Sequence, residues 1–160
     1  MDPYLLLKAV HVIGATVILG TGAGIAFFML MAHRTGDPAL IAHTAGVVVL
    51  ADALFTTTAV IAQPITGALL ARQGGFALFE GWIGLSLILY VVTGVCWLPV
   101  VWIQLRLREL ARAAVAAGAP LPAAYHRLFR LWLLLGFPAF AAVLGIVWLM
   151  VAKPALSAVS

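Results

Sequence analysis

Apolar residues fill four long stretches of the chain, and short polar or glycine- and proline-rich segments separate them. A helix needs about 20 mostly apolar residues to cross a hydrocarbon core roughly 30 Å thick, and each stretch is long enough. The pattern predicts transmembrane helices over about residues 4–32, 39–72, 82–117 and 123–151. The fold class that we expect is all-α, a polytopic four-helix bundle that forms a single domain over residues 1–160.

The polar joints contain residues that begin, end or bend helices. Asp37 and Pro38 predict an N-cap and a first turn for the second helix. Prolines inside the later helices predict kinks, because proline removes one backbone hydrogen bond. These prolines are Pro64, Pro99 and Pro138.

Composition places the protein in a membrane. The chain is 65% hydrophobic and 9% charged, whereas soluble domains contain roughly 25% charged residues. The formal net charge of +4 comes from few residues, so we interpret it as a topology signal and expect no nucleic-acid partner. The single Cys96 cannot form an internal disulfide. The first apolar stretch is longer than a signal-peptide core, so we expect it to remain in the mature, multi-pass membrane protein.

Basic residues predict the orientation of the bundle. One end has six of them, namely Arg34, Arg106, Arg108, Arg112, Arg127 and Arg130. The other end has three, namely Lys8, Arg72 and Lys153. The positive-inside rule places the end with six arginines in the cytoplasm and both termini on the periplasmic side. Aromatic residues near the helix ends are expected to form an interfacial belt: Trp82, Trp102, Trp132, Trp148, Tyr4 and Tyr125.

Polar residues recur at helical spacing along two of the predicted helices. The stripe on the second helix is Asp52, Thr56, Ala59, Gln63 and Thr66, and that on the third is Ser86, Tyr90, Thr93, Trp97 and Gln104. Hydrogen bonds between helices are the ordinary explanation of such stripes. A carboxylate, however, costs about 2.5–3.5 kcal/mol inside a membrane unless it is paired or protonated. Asp52, Gln63 and Tyr90 are therefore candidate intramembrane polar residues, and we expect Asp52 either to form an ion pair or to relay protons. The candidate partners for the ion pair are Arg34, Arg106 and Arg130.

Lys8 and His11 lie three residues apart on one face of the first helix. Ionisable residues inside a membrane span mark a candidate functional site. Glycines such as Gly14 let helices approach closely, and they would also leave room for a flat macrocycle beside a histidine. Periodicity alone does not choose between these two interpretations.

Several short motifs resemble a group of small bacterial four-helix membrane proteins. The motifs are Lys8-Ala9-Val10-His11-Val12-Ile13-Gly14, Arg34, Pro64-Ile65-Thr66-Gly67, Trp82, Pro138 and Ala152-Lys153-Pro154. Over its whole length the chain resembles an uncharacterised family of predicted integral membrane proteins, a domain of unknown function. This resemblance implies a multi-pass protein of the bacterial inner membrane. The chain is more distantly similar to HemJ-type protoporphyrinogen oxidases and CopD-like membrane domains.

This resemblance implies a cytochrome b-like bundle that binds haem b with His11 as an axial ligand of the iron. Lys8 would tune the site or contact a propionate, and Met150 is a candidate second ligand, with five-coordinate iron as the alternative. The chain departs from the HemJ pattern at Ser86, where that family has a lysine, and at Leu135-Gly136, where it has an Asn-Glu pair. The oxidase activity is therefore not carried over, and a membrane oxidoreductase activity stays open. We expect a haem-binding protein in electron transfer or membrane redox chemistry, with a membrane or periplasmic redox partner.

Two further interpretations involve other residues. His33, His43 and His126 could form a second metal site at the cytoplasmic end, and Met29, Met31 and His33, with the CopD resemblance, suggest copper handling. The non-redox alternative is a small transporter that uses Asp52 and Gln63, or a scaffold subunit of a membrane complex. Because one four-helix chain is small for a transporter, we expect a homo-oligomer or a subunit of a complex. The sequence does not identify a substrate.

Overall fold

The structure of the protein, a computed structural model, describes residues 2–79 and 81–155. Within these ranges it contains four long helices and no strand: α1 (Pro3–Thr35), α2 (Pro38–Gln73), α3 (Gly81–Ala116) and α4 (Ala123–Ala152). Each of the four is long and apolar enough to cross a membrane. The predicted all-α fold with four spans is confirmed, while the side of the membrane on which the termini lie stays a prediction.

Capping residues define the tight connection between α1 and α2. Gly36 adopts a left-handed conformation with φ of 67°, and its N–H bonds the carbonyl of His33, which ends α1. Asp37 then accepts a hydrogen bond from the backbone N–H of Ala39 at 2.8 Å, so the predicted N-cap of α2 is confirmed. The connection is short, and α1 and α2 therefore pack as neighbours.

One turn of π-helix, Asp52–Thr56, interrupts α2 between its α-helical halves Pro38–Ala51 and Thr57–Gln73. In this turn the N–H of Thr57 bonds the carbonyl of Asp52, and the Thr57 hydroxyl donates to the same carbonyl at 3.0 Å. Pro64 lies further along, inside the second half of α2, which stays helical through that residue, and the kink that the sequence predicts there stays a prediction. Such bulges insert one extra residue and often lie at functional sites.

The hydrophobic core lies at one end of the bundle, around the two hairpin connections that follow α1 and α3. Its largest fully buried side chains are Tyr125, Met29, Ile41, Ile103 and Leu107. Away from this core the helices separate into two pairs. The second half of α2 packs mainly on α1 and has few contacts with α3, whereas α3 packs most extensively on α4. The bundle therefore opens between the pairs beyond the core.

Two aromatic residues do not belong to the expected interfacial belt. Tyr125 is completely buried, and Trp132 is buried with its ring 5.6 Å from the ring of Phe129. The prediction for these two is wrong because the first turns of α4 lie inside the core. Trp102 and Trp148 are exposed on the outer surface of the bundle, as a lipid-facing role requires.

Candidate functional site

His11 is held against the second half of α2 by a hydrogen bond. Its Nδ1 atom lies 2.8 Å from the hydroxyl oxygen of Thr66. The Thr66 hydroxyl also lies 2.8 Å from the carbonyl of Ala62. In the arrangement in which the hydroxyl donates to that carbonyl, Nδ1–H of His11 is the donor in the contact between the two side chains, and the Nε2 atom keeps its lone pair.

Two glycines allow α1 and α2 to approach each other at this histidine. Gln63 donates a hydrogen bond to the carbonyl of His11 at 2.8 Å, and a Cβ atom on Gly14 would collide with the same Gln63 nitrogen. A Cβ atom on Gly67 would lie 3.2 Å from Cε1 of the His11 ring. We call His11, Gly14, Gln63, Thr66 and Gly67 the His11 site. Gln63 occupies the space beside Gly14, as the close approach of two helices requires, and a role of Gly14 in cofactor binding stays a prediction.

Lys8 and Met150 are the other two candidate residues of the predicted haem site, and their roles there stay predictions. The side chain of Lys8 is exposed, so Lys8 and His11 are not a buried pair. Met150 is half-buried near the end of α4, close to Lys153, whose ammonium lies 5.8 Å from the centre of the Trp82 ring on α3. Its role as a second ligand stays a prediction.

The histidines at the core end of the bundle separate into a pair and a single residue. The ring of His33 stacks on Phe129 at 3.7 Å, its Nδ1 lies 3.3 Å from the Tyr125 hydroxyl, and the His126 ring is 5.9 Å away. His43 is exposed on α2. In the part of the chain that the structure describes, no three His, Cys, Asp or Glu side chains are arranged to hold a metal ion. The predicted three-histidine site is thus not assembled.

The copper interpretation loses one of its proposed ligands. Met29, which the sequence groups with Met31 and His33, is 1% exposed and packs in the hydrophobic core. A thioether that is enclosed by aliphatic and aromatic neighbours has no access to an incoming ion.

Asp52 lies in the π-helical turn of α2 and is buried, with 4% of its surface exposed. One carboxylate oxygen accepts a hydrogen bond from Nε1 of Trp97 at 3.4 Å. The other lies 3.2 Å from the side-chain nitrogen of Gln104, in the amide orientation that also lets Gln104 accept from Nε1 of Trp132 at 3.3 Å. The groups around this carboxylate, which are the Trp97 indole, the Gln104 amide and the Thr56 hydroxyl, are all neutral.

The predicted ion pair of Asp52 with an arginine is wrong. Over residues 2–79 and 81–155 the structure contains a single salt bridge, between Arg106 and Glu109 on the surface of α3. The guanidinium groups of the basic end therefore do not reach the buried carboxylate.

Asp52 opens onto a cavity of about 400 Å³ that lies between all four helices. We call it the central cavity. Thr56, one turn after Asp52, also lines it, and the Thr56 hydroxyl is buried without a hydrogen-bond partner among the described residues. The remaining wall is mostly apolar, and its rim includes Phe137 and Phe140, which are exposed on the outer surface of the bundle. The cavity therefore opens sideways, toward the region that lipid would occupy.

Tyr90 crosses the gap between the two helix pairs beside this cavity. Pro64 has no N–H, so the carbonyl of Val60, four residues earlier, lacks its helical donor. The hydroxyl of Tyr90 on α3 donates to that carbonyl at 2.5 Å. Tyr90 therefore satisfies a backbone group that Pro64 leaves unpaired, and it ties α3 to α2.

The two polar stripes predicted from sequence both face the interior, and at the central cavity they meet. Asp52 and Thr56 come from α2, and Tyr90, Trp97 and Gln104 come from α3. Trp132 is a site residue that the sequence interpretation missed. A signal was available, since an indole N–H within an apolar helix needs an acceptor, but its position near the start of α4 is equally typical of an interfacial residue.

Comparison with known proteins identifies the family of the chain but no activity. The model of the family described as "Predicted integral membrane protein (DUF2269)" matches residues 5–154, and the chain belongs to this family. No curated protein and no solved structure matches the chain. The protein is thus a multi-pass integral membrane protein of an uncharacterised family, and the similarity to HemJ-type and CopD-like proteins stays a prediction.

Proposed function

We propose that this member of the DUF2269 family is a small non-redox transporter in which Asp52 binds and releases a proton inside the membrane. The observation that carries the proposal is the burial of the Asp52 carboxylate at a cavity with no cationic partner among the described residues. An ionised carboxylate is costly in such surroundings, so it either takes up a proton or attracts a cation.

Two features of α2 support this assignment. The π-helical turn Asp52–Thr56 interrupts the regular helix at the carboxylate, and transporters commonly build their binding sites where a membrane helix is discontinuous. The polar face of α2 continues from Asp52 through Gln63 to Thr66. Gln63 and Thr66 contact α1 at the His11 site. A transporter of this size would act as an oligomer or as a subunit of a complex, as the sequence predicts.

Proton flux into liposomes tests the proposal. The purified protein is reconstituted with a pH-sensitive dye inside the vesicles, and a potassium diffusion potential drives proton entry. We expect Asp52→Asn to lower the protein-dependent rate at least tenfold, because the amide cannot ionise. The matched control is Asp37→Asn, which removes an exposed carboxylate at the start of α2 and should leave the rate unchanged. An unchanged rate in Asp52→Asn overturns the proposal.

The second candidate is the binding of haem b by His11, which the contact of its ring with Thr66 supports. When Nδ1–H donates to Thr66, Nε2 presents the lone pair that an axial ligand needs. The donor chemistry fits, but the central cavity does not supply the space. The nearest cavity-lining residue on α1 is Ile18, seven residues and about 10 Å along the helix from His11. A porphyrin bound by His11 would lie outside the central cavity.

An absorption spectrum tests this second candidate. Protein that is expressed with ample haem and then purified should show a Soret band that shifts with dithionite and disappears in His11→Ala. A colourless wild-type protein contradicts haem binding and, with it, the predicted roles in electron transfer and membrane redox chemistry. His11→Ala should leave the proton flux intact if Asp52 alone carries it.

A further inference from the structure

The central cavity has one polar wall and one apolar wall. Asp52 and Thr56, both at least nine-tenths buried, face it from α2, and the Thr56 hydroxyl has no partner among the described residues. The opposite wall contains aliphatic and phenyl side chains such as Val143 and Phe140. A ligand that matches both walls has a hydrogen-bonding head and a hydrocarbon body.

The charge of the polar wall defines the head group. Asp52 receives hydrogen bonds from the neutral groups of Trp97 and Gln104, and the neutral hydroxyl of Thr56 lies beside it. No charged group of the described chain therefore compensates an ionised carboxylate. A protonated amine would supply that compensation, and one of its N–H groups would find an acceptor in Thr56. An anionic head would be repelled, and a neutral one would gain only a hydrogen bond.

Aromatic rings around the carboxylate favour the same head group. Trp97, Trp132 and Tyr90 all line the cavity. The electron-rich faces of such rings attract a desolvated ammonium group. Cation recognition in proteins typically combines an acid with aromatic walls of this kind.

The size and opening of the cavity limit the body of the ligand. A volume of about 400 Å³ falls in the range of roughly 300–1,000 Å³ that is usual for small-molecule sites. The exposed side chains of Phe137 and Phe140 form its rim, where α1 and α4 have few contacts. A ligand that partitions into the hydrocarbon of the membrane reaches this opening without crossing water.

We infer that the central cavity is the binding site of a compact lipophilic amine. Its ammonium group pairs with Asp52 and Thr56 between the aromatic rings, its hydrocarbon body fills the apolar wall, and it enters sideways from the bilayer. This inference rests on the proposed function of Asp52 and names the class of molecule that would be exchanged for the proton.

A pair of matched probes tests the inference. The protein is placed in phosphatidylcholine nanodiscs, and the fluorescence of its tryptophans is titrated with 1-aminoadamantane or with the neutral 1-adamantanol, which has the same hydrocarbon cage. Trp97 and Trp132 in the cavity wall report occupancy. We expect the wild type to bind the amine at least tenfold more tightly than the alcohol.

Substitutions then locate the probe. Asp52→Asn should weaken amine binding at least tenfold and leave alcohol binding unchanged, whereas Asp37→Asn should change neither. If Asp52→Asn does not fold, Gly94→Leu replaces it: Gly94 lines the cavity and a Cβ there meets no atom within 4 Å, so the larger side chain should block both probes. Equal affinity of the wild type for amine and alcohol overturns the inference, as does amine binding that survives the substitution used.

The flux experiment and the binding experiment can contradict the two proposals independently of each other. If Asp52→Asn stops proton flux while the wild type shows no preference for the amine, the ligand class is wrong and the proton-binding role of Asp52 stands. If neither flux nor binding depends on Asp52, the carboxylate is a protonated structural group that is held by Trp97 and Gln104, and both proposals fall.

Discussion

The His11 site and the central cavity are both polar clusters within an apolar bundle, and they differ in how their polar atoms are paired. At the His11 site, Nδ1–H, the Thr66 hydroxyl and the Gln63 amide all find partners on the facing helix, and two glycines remove the space between the helices. At the cavity, the Asp52 carboxylate has no cationic partner and the Thr56 hydroxyl meets no hydrogen-bond partner among the described residues, and both face open volume.

This difference shows how to interpret polar residues in membrane helices. Both clusters stand out equally in the sequence, because an ionisable residue within an apolar stretch is conspicuous whatever surrounds it. A histidine whose partners are complete contributes to helix association. A carboxylate beside unfilled space keeps an uncompensated charge until it binds a proton or a ligand. Asp52 is therefore a stronger candidate for a functional role than His11.

The largest effect is expected from enlarging a glycine in each cluster. Gly67→Leu should lower the free energy of unfolding by about 1–3 kcal/mol, because the added side chain meets the His11 ring. Gly94→Leu should change it by less than about 0.5 kcal/mol, because its side chain enters the cavity. Unfolding by sodium dodecyl sulfate in mixed micelles, followed by tryptophan fluorescence, measures both.

Equal losses of unfolding free energy in Gly67→Leu and Gly94→Leu would contradict the contrast between the two clusters. They would mean that the cavity wall is as tightly packed as the contact of α1 with α2. Gly20→Leu is the control for placing a leucine in a membrane helix. Gly20 is exposed on α1, and a Cβ there meets no atom within 4 Å.

A smaller effect is expected at the bridge between the two helix pairs. Tyr90→Phe should destabilise the protein by about 1 kcal/mol, because the Val60 carbonyl loses the donor that replaces the missing N–H of Pro64. In a Pro64→Ala background the same change should cost almost nothing, since the alanine N–H at position 64 restores the helical bond to Val60. The four free energies of unfolding form a double-mutant cycle.

A cycle with no coupling would contradict this account of Tyr90. The Tyr90 hydroxyl would then contribute to stability independently of Pro64, and the gap between the helix pairs would be maintained by other contacts.

Length, hydropathy and capping chemistry were sufficient to predict the bundle. Four apolar stretches gave four helices, and Asp37 and Pro38 marked the start of α2. The same helical periodicity identified the polar stripes of α2 and α3, since a polar face in an apolar helix must turn toward the interior of the bundle.

The features that sequence could not supply depend on distances between helices. Nothing in the pattern indicates that α2 forms a π-helical turn at Asp52, because such a turn has no strong residue preference. Nor does the pattern show that Gln63 fills the space beside Gly14 while volume remains beside Gly94. A glycine permits close approach or open space, and only the neighbouring helix decides between them.

The smallest effect is expected from two matched threonine substitutions on the same face of α2. Thr66→Val removes the acceptor of the His11 Nδ1–H bond and should lower the free energy of unfolding by about 0.6 kcal/mol, the usual value for such bonds between membrane helices. Thr56→Val removes a hydroxyl that has no partner among the described residues, so it should leave stability unchanged or raise it slightly. The two changes are alike in volume and are both made at buried positions, so the difference between their unfolding free energies isolates the effect of pairing. If Thr56→Val is as destabilising as Thr66→Val, the Thr56 hydroxyl already has a partner in the folded protein. The polar wall of the cavity would then be complete without a ligand, and the contrast between the two clusters would disappear.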